Sequence, residues 1–222
     1  MAYDNKTWLS HSGIDVLYRC PRCFWLKYNR KIYQPEGIVS RLPGRFDMVI
    51  KKYFDKFRAE GTLPPIVEEK IEGRLENPFQ EKYFYSVNEK YGFWGKLDEC
   101  LINDKNEYIP VDFKTSSSDP VGKEIFPAYQ NQMNNYALLL EANRKKTSSF
   151  GYLIFFYPKD SDELHNGFPM AAHIQKVKTN PKEALQKIEE AIKVLDGKIP
   201  ESSQECPFCA WKKVIDTTLK EL

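Results

Sequence analysis

The chain has 222 residues, 41% of them hydrophobic and 14% aromatic, with a formal net charge of +2. That length fits one large domain with small additions, and the near-neutral charge excludes a general polycation, so any nucleic-acid contact must come from local patches. No stretch approaches the roughly 20 apolar residues of a membrane span, and the start, Met1 to Trp8, lacks the apolar core of a signal peptide. A cytoplasmic protein with no membrane partner is therefore expected, its five cysteines serving as ligands or buried thiols rather than disulfides.

Ser12 is placed to cap a short helix with Ile14, Leu17 and Tyr18 on one side, and this helix delivers Cys20. Arg19, Arg22, Lys27 and Arg30 follow, interleaved with Phe24, Trp25 and Tyr28. Such a mixture suits single-stranded nucleic acid, whose bases stack on rings while cations meet phosphates. It equally suits a solvated basic surface over buried rings. A second helix is expected from Pro43 to Arg58, where Phe46, Val49, Ile50, Tyr53, Phe54 and Phe57 recur at helical spacing with Asp47 at the edge of the stripe. Residues 61–78, with Pro64-Pro65, read as loop. Strands are expected over 82–89, 92–102 and 108–114. After Ser116 to Pro120 comes a helix from Glu124 to Asn143, with Gln132 and Tyr136 on one face. Phe150 to Tyr157 and Met170 to Lys178 read as further strands. A last helix opens at Pro181 and ends at Gly197.

The hairpin in the middle carries the chemistry. Asn103 to Glu107 is a run of turn formers. If Ile102 pairs with Tyr108 across it, the antiparallel register sets Asp98 opposite Asp112, and alternation brings Lys114 to the same face. Two carboxylates roughly 5 Å apart repel, and a hard cation such as Mg²⁺ relieves the repulsion. Ordinary cross-strand salt bridging is the competing explanation.

The cysteines form two knuckles, Cys20-Pro-Arg-Cys23 and Cys206-Pro-Phe-Cys209. Together they offer four thiolates, enough to close a tetrahedral site that pins the chain ends together. Cys100, within a strand, reads as a core residue.

In this order the motifs resemble the PD-(D/E)xK nuclease superfamily, and more narrowly its RecB-like exonucleases, including CRISPR-associated ones. The matching residues are Gly95-Lys-Leu-Asp98, Asp112-Phe-Lys114 and Gln132-x3-Tyr136, with Cys20 and Cys206-Pro-Phe-Cys209 flanking them. The resemblance implies an α/β, restriction-endonuclease-like core: a mixed central sheet flanked by helices, with a terminal cysteine site. It sets out one integrated domain, with an N-terminal helical arm over 1–42, a nuclease core over 43–200 and a C-terminal knuckle and tail over 201–222. Two departures stand out. Asp47, in Gly44-Arg-Phe-Asp47, occupies the place where the family usually has a histidine. Ile215 lies where the family has a last cysteine, and Cys23 supplies a fourth thiolate elsewhere. The resemblance implies a 4Fe–4S cluster on Cys20, Cys23, Cys206 and Cys209, whereas the paired knuckles suit Zn²⁺.

The implied activity is metal-dependent hydrolysis of DNA, acting as an exonuclease on single-stranded ends. Asp47, Asp98, Asp112 and the Phe113 carbonyl would hold Mg²⁺ or Mn²⁺. Lys114 would position the attacking water, and Gln132 and Tyr136 would orient Lys114 or the DNA. Arg19, Arg22, Trp25, Lys27 and Arg30 are candidate nucleic-acid contacts. DNA repair, recombination or CRISPR adaptation, beside a helicase or an integrase, are the implied settings. Two other readings stay open: a DNA-binding module of the same fold that has lost turnover, and a metal-stapled interaction protein.

Overall fold

The computed structural model describes residues 5–38, 40–164 and 167–221. They fall into two compact units, one drawn from 1–39, 86–94 and 183–222, the other from 40–85 and 95–182.

The first unit opens with β1 (Thr7–Ser10), α1 (His11–Arg19) and α2 (Pro21–Arg30). The cap of α1 is Ser10, not the expected Ser12: its Oγ accepts the Gly13 N–H at 3.2 Å, two residues earlier than the sequence pattern suggests. Strand β1 pairs in parallel with the next strand to enter this unit, matching Thr7 to Tyr91 and Ser10 to Trp94. Near its end come α5 (Pro181–Asp196), with Ile188, Ala191, Ile192 and Leu195 buried, and α6 (Pro207–Glu221), which has no buried residue. The segment expected as a knuckle and tail is thus a helix of 15 residues beyond Cys206.

The second unit contains α3 (Leu42–Arg58), β2 (Arg74–Leu75) and β3 (Lys82–Ser86). Strand β4 (Tyr91–Lys96) enters it at Gly95, and β5 (Glu99–Ile102), β6 (Tyr108–Thr115), α4 (Pro127–Ala142), β7 (Phe150–Pro158) and β8 (Met170–Lys178) follow. Its sheet has the order β2-β5-β6-β7-β8, antiparallel except for the parallel pair β6–β7. This is the mixed sheet with flanking helices that the resemblance implies. The expected strand 92–102 is split, because the chain turns at Leu97 and Asp98 between β4 and β5. The expected strand 82–89 ends at Ser86.

Alternation along β6 sorts its side chains between two helices. Ile109, Val111 and Phe113 join Ile50 and Phe54 of α3 in one apolar cluster, with the Phe54 and Phe113 ring centroids 4.7 Å apart. Asp112, on the other face, meets α4. Gly95 permits the close approach of α4, since a Cβ there would stand 2.8 Å from Leu139 Cδ1.

An internal ion pair anchors α3. Arg58 donates to Glu99 at 2.7 and 3.1 Å and to the Glu76 carbonyl at 2.7 Å. Glu99 is 1% exposed, and burial pushes its carboxyl up despite Arg58. Arg58→Met therefore leaves a buried acid without its counter-charge and should cost about 3–5 kcal/mol. Urea unfolding checks this; a loss below about 1 kcal/mol would show that the pair is not structural.

Candidate active site

Asp112 sits near the C-terminal end of β6, where its side chain is 1% exposed. Two residues on successive turns of α4 reach it. Gln132 donates to Oδ1 at 2.8 Å, and the Tyr136 hydroxyl donates to the same oxygen at 3.1 Å. Gln132 also donates to the Tyr136 oxygen at 2.7 Å, while its own carbonyl oxygen accepts from Lys114 at 2.7 Å. One amide therefore couples the acid, the phenol and the ammonium. The Lys114 ammonium lies 2.5 Å from Asp112 Oδ2, yet that buried oxygen has no aligned hydrogen-bond donor. Burial raises the Asp112 carboxyl to about 7, with Lys114 opposing the rise and the nearby Asp98 charge adding to it. Burial, Asp112 and Asp98 all raise the Tyr136 phenol well above its ordinary value, which keeps it a neutral donor.

The expected hairpin register is present. Ile102 pairs with Tyr108, and Glu99 with Val111. Asp98 falls just outside the ladder, at the turn. One of its oxygens accepts the Phe113 N–H at 3.0 Å, so the turn is tied to the strand that carries Asp112. Its other oxygen is 2.8 Å from the ammonium of Lys51, which is also 3.0 Å from Asp47, one turn earlier on α3. Lys51 thus links Asp47 to Asp98. Burial works against its charge, but the two carboxylates prevail and its pKa is raised.

The four knuckle cysteines meet within the first unit. Sγ–Sγ separations are 3.9 Å for Cys20–Cys209, 3.7 Å for Cys23–Cys206 and 3.6 Å for Cys23–Cys209, and all four sulfurs lie within 4.8 Å of one another. Cys20 and Cys23 bracket the first turn of α2, while Cys206 and Cys209 bracket that of α6. For Cys20, burial opposes ionisation, but hydrogen bonds from Cys23, Ser203 and Cys206 bring its thiol down to about 7. Burial pushes the Cys23 thiol up. Cys100 is fully buried in β5, as expected of a core residue.

A family profile described as the PD-(D/E)XK nuclease superfamily matches residues 43–214, more than half of the chain. The chain belongs to that superfamily. Among solved structures it is similar to SSO0001, at 16% identity and a TM-score of 0.51, over 95% of this chain and 87% of that one. At that identity the likeness speaks for the fold alone. No curated protein matches the sequence.

Members of the PD-(D/E)XK superfamily use divalent metals, and the residues here suit one. Asp98, Asp112 and a backbone carbonyl are hard oxygen donors, and the Phe113 N–H to Asp98 bond ties the segments that carry the two carboxylates. Two further residues of this PD-(D/E)XK chain, not marked by its motifs, adjoin the site. Lys51 carried a signal, since it follows Asp47 by four residues on a helix. Tyr129, whose ring centroid lies 4.6 Å from the Lys114 ammonium, precedes Gln132 by three on the same face of α4.

The basic–aromatic residues of α1 and α2 are largely engaged within the first unit. Arg22 donates to the Pro200 carbonyl at 3.0 Å and to Glu201 at 2.9 Å. Trp25 donates to the Gly197 carbonyl at 3.0 Å, with Arg30 over its ring. Lys27 lies over Tyr28, and Arg19 reaches the Asp15 carbonyl at 3.4 Å. Among the described residues, no helix is long and apolar enough to cross a membrane.

Proposed function

We propose that the protein is a Mg²⁺- or Mn²⁺-dependent deoxyribonuclease acting as an exonuclease on single-stranded DNA ends. The observation that carries this reading is the Asp112–Gln132–Lys114 linkage: a buried carboxylate and an ammonium held side by side by one amide. A divalent ion held by Asp98, Asp112 and the Phe113 carbonyl, with Asp47 at the rim, would polarise the scissile phosphate and supply hydroxide near neutral pH.

The chain's own residues divide the remaining work. Lys114 positions the attacking water and offsets charge on the pentavalent phosphate. Gln132 fixes the Lys114 ammonium and the Asp112 rotamer together, and the neutral Tyr136 phenol holds Asp112 from its other side. Gln132→Ala removes a partner that orients two groups at once, so Mn²⁺ affinity should fall about 10–100-fold. Calorimetric titration checks this, and an unchanged Kd would assign Gln132 to packing only.

For the cysteine site we propose one four-thiolate Zn²⁺. A tetrahedral ion with Zn–S bonds of about 2.3 Å has its sulfurs about 3.8 Å apart; three of the six separations are 3.6–3.9 Å and all lie within 4.8 Å, which supports that fit. In a 4Fe–4S cluster each thiolate caps a different iron, which sets the sulfurs farther apart. The cluster is the second reading, favoured by the flanking positions of Cys20 and Cys206. Metal analysis of anaerobically purified protein decides between them: stoichiometric zinc in a colourless protein, or iron with absorbance near 400 nm.

Arg19, Arg22, Trp25, Lys27 and Arg30 are proposed as an auxiliary DNA surface. DNA repair, recombination or CRISPR adaptation, with a helicase or integrase as partner, is the setting that the family resemblance supports, in the cytoplasm. Substrate class is tested with end-labelled linear single strands, duplexes and circular single strands plus Mn²⁺. Degradation of the linear single strand with the circle intact supports the exonuclease. Nicking of the circle would make the protein an endonuclease, and no cleavage of any substrate would favour a DNA-binding module.

A further inference from the structure

Lys51 stands where its charge matters most. Its ammonium is 2.8 Å from Asp98 and 3.0 Å from Asp47, and its side chain is 27% exposed. Asp98 has no idle oxygen: the one not facing Lys51 accepts the Phe113 N–H at 3.0 Å. Asp112 is paired as well: its buried Oδ2 lies 2.5 Å from the Lys114 ammonium. The acidic residues thus form two sides. Each side faces a lysine, but on the Asp47–Asp98 side one ammonium lies between two carboxylates, where a bridging ion would sit.

Charge counting leads the same way. When all three are ionised, Asp47, Asp98 and Asp112 carry three negative charges, and Lys51 and Lys114 return two positive ones. One divalent ion takes this group from a net −1 to +1, a charge that an incoming phosphodiester balances. A second ion bridging Asp47 and Asp98 would have to displace the Lys51 ammonium or lie against it, with strong repulsion at such range.

We propose that Lys51 is a built-in substitute for a second metal ion, so that this site binds one divalent ion rather than two. This rests on the nuclease reading above. Lys51 is a positioning residue: it holds Asp47 and Asp98 in place without a metal between them. Removing its ammonium leaves Asp47 facing Asp98 as an uncompensated hard-oxygen pair, which is the donor chemistry that Mn²⁺ takes.

The test is Mn²⁺ stoichiometry, read from the free-Mn²⁺ electron paramagnetic resonance signal during titration of the full-length protein with its cysteine site loaded. Background is set by the Asp98→Asn/Asp112→Asn double variant. Lys51→Met keeps the apolar stem, and Lys51→Gln serves as a second neutral variant should the first fail to fold. The expected result is one Mn²⁺ above background for the parent and two for the neutral variants, with a spin-coupled pair signal only in the latter. Lys51→Arg should stay at one. Two ions on the parent, or one on a folded neutral variant, overturns the inference and leaves the nuclease reading intact. No Mn²⁺ above background on the parent overturns the nuclease reading itself.

Discussion

Asp112→Asn is expected to stabilise the metal-free protein at pH 8 while ending metal-dependent cleavage. The two effects share one cause. Burial lifts the Asp112 carboxyl to about 7, so ionising it in the folded state is unfavourable even with Lys114 alongside. In the unfolded chain it ionises near its ordinary value of 3.8. Between those values the folded protein binds more protons than the unfolded one, so stability falls as pH rises from about 4 to about 7. Asparagine imitates the protonated acid and removes that loss. The gain at pH 8 should reach up to about 4 kcal/mol and vanish toward pH 4. Urea unfolding in EDTA at the two pH values measures it. The same substitution withdraws the anionic oxygen that a divalent ion needs, and cleavage should drop by about 1,000-fold or more. A variant less stable than the parent at pH 8 would show that the Asp112 charge stabilises the fold.

The second large effect concerns the cysteines. Helix α6 has no buried residue, and Trp211, Val214 and Leu219 along it are 65–67% exposed. Little apolar packing holds it, so its attachment rests on the sulfurs at its first turn. Cys206 is buried against Cys23, and Cys209 approaches Cys20 and Cys23. A Cys206→Ser/Cys209→Ser variant should lose the bound metal and release α6. If about 4 kcal/mol is forfeited, Tm falls by about 10 °C for a chain of this size. Limited proteolysis should then cut within 207–221 at least ten times faster than in the parent, on the order expected when local opening loses more than about 1.4 kcal/mol. Equal cleavage rates in the metal-loaded parent and the variant would mean that the cysteines do not anchor the helix.

The hairpin was legible because its logic is local. Turn formers from Asn103 to Glu107 and strict alternation set Ile102 opposite Tyr108, and the structure keeps that pairing. Gln132 and Tyr136 were legible for the same reason, since spacing of four on a helix fixes a shared face. The bend at Asp98 was not. Residues 92–102 look continuous in pattern, whereas the bend is held by contacts distant in the chain: the Leu97 N–H to the Glu81 carbonyl and the Phe113 N–H to the Asp98 carboxylate. Helix α6 was expected only as a tail, although Trp211, Val214, Ile215 and Leu219 recur at helical spacing. Lys51 was overlooked for a different reason. On the sequence it is one more cation on a helix that also carries Lys52 and Lys56, and its role depends on Asp98, which is distant in the chain and near in space.

The Asp98, Asp112 and Lys114 constellation is proposed to hydrolyse DNA with a divalent metal. The most direct measurement follows release of label from an end-labelled single-stranded oligonucleotide, with Mn²⁺ or with EDTA, by the parent and by Lys114→Ala. The expected result is cleavage by the parent in Mn²⁺ alone, and a rate at least about 100-fold lower for the folded variant. Equal rates for the two proteins would contradict it.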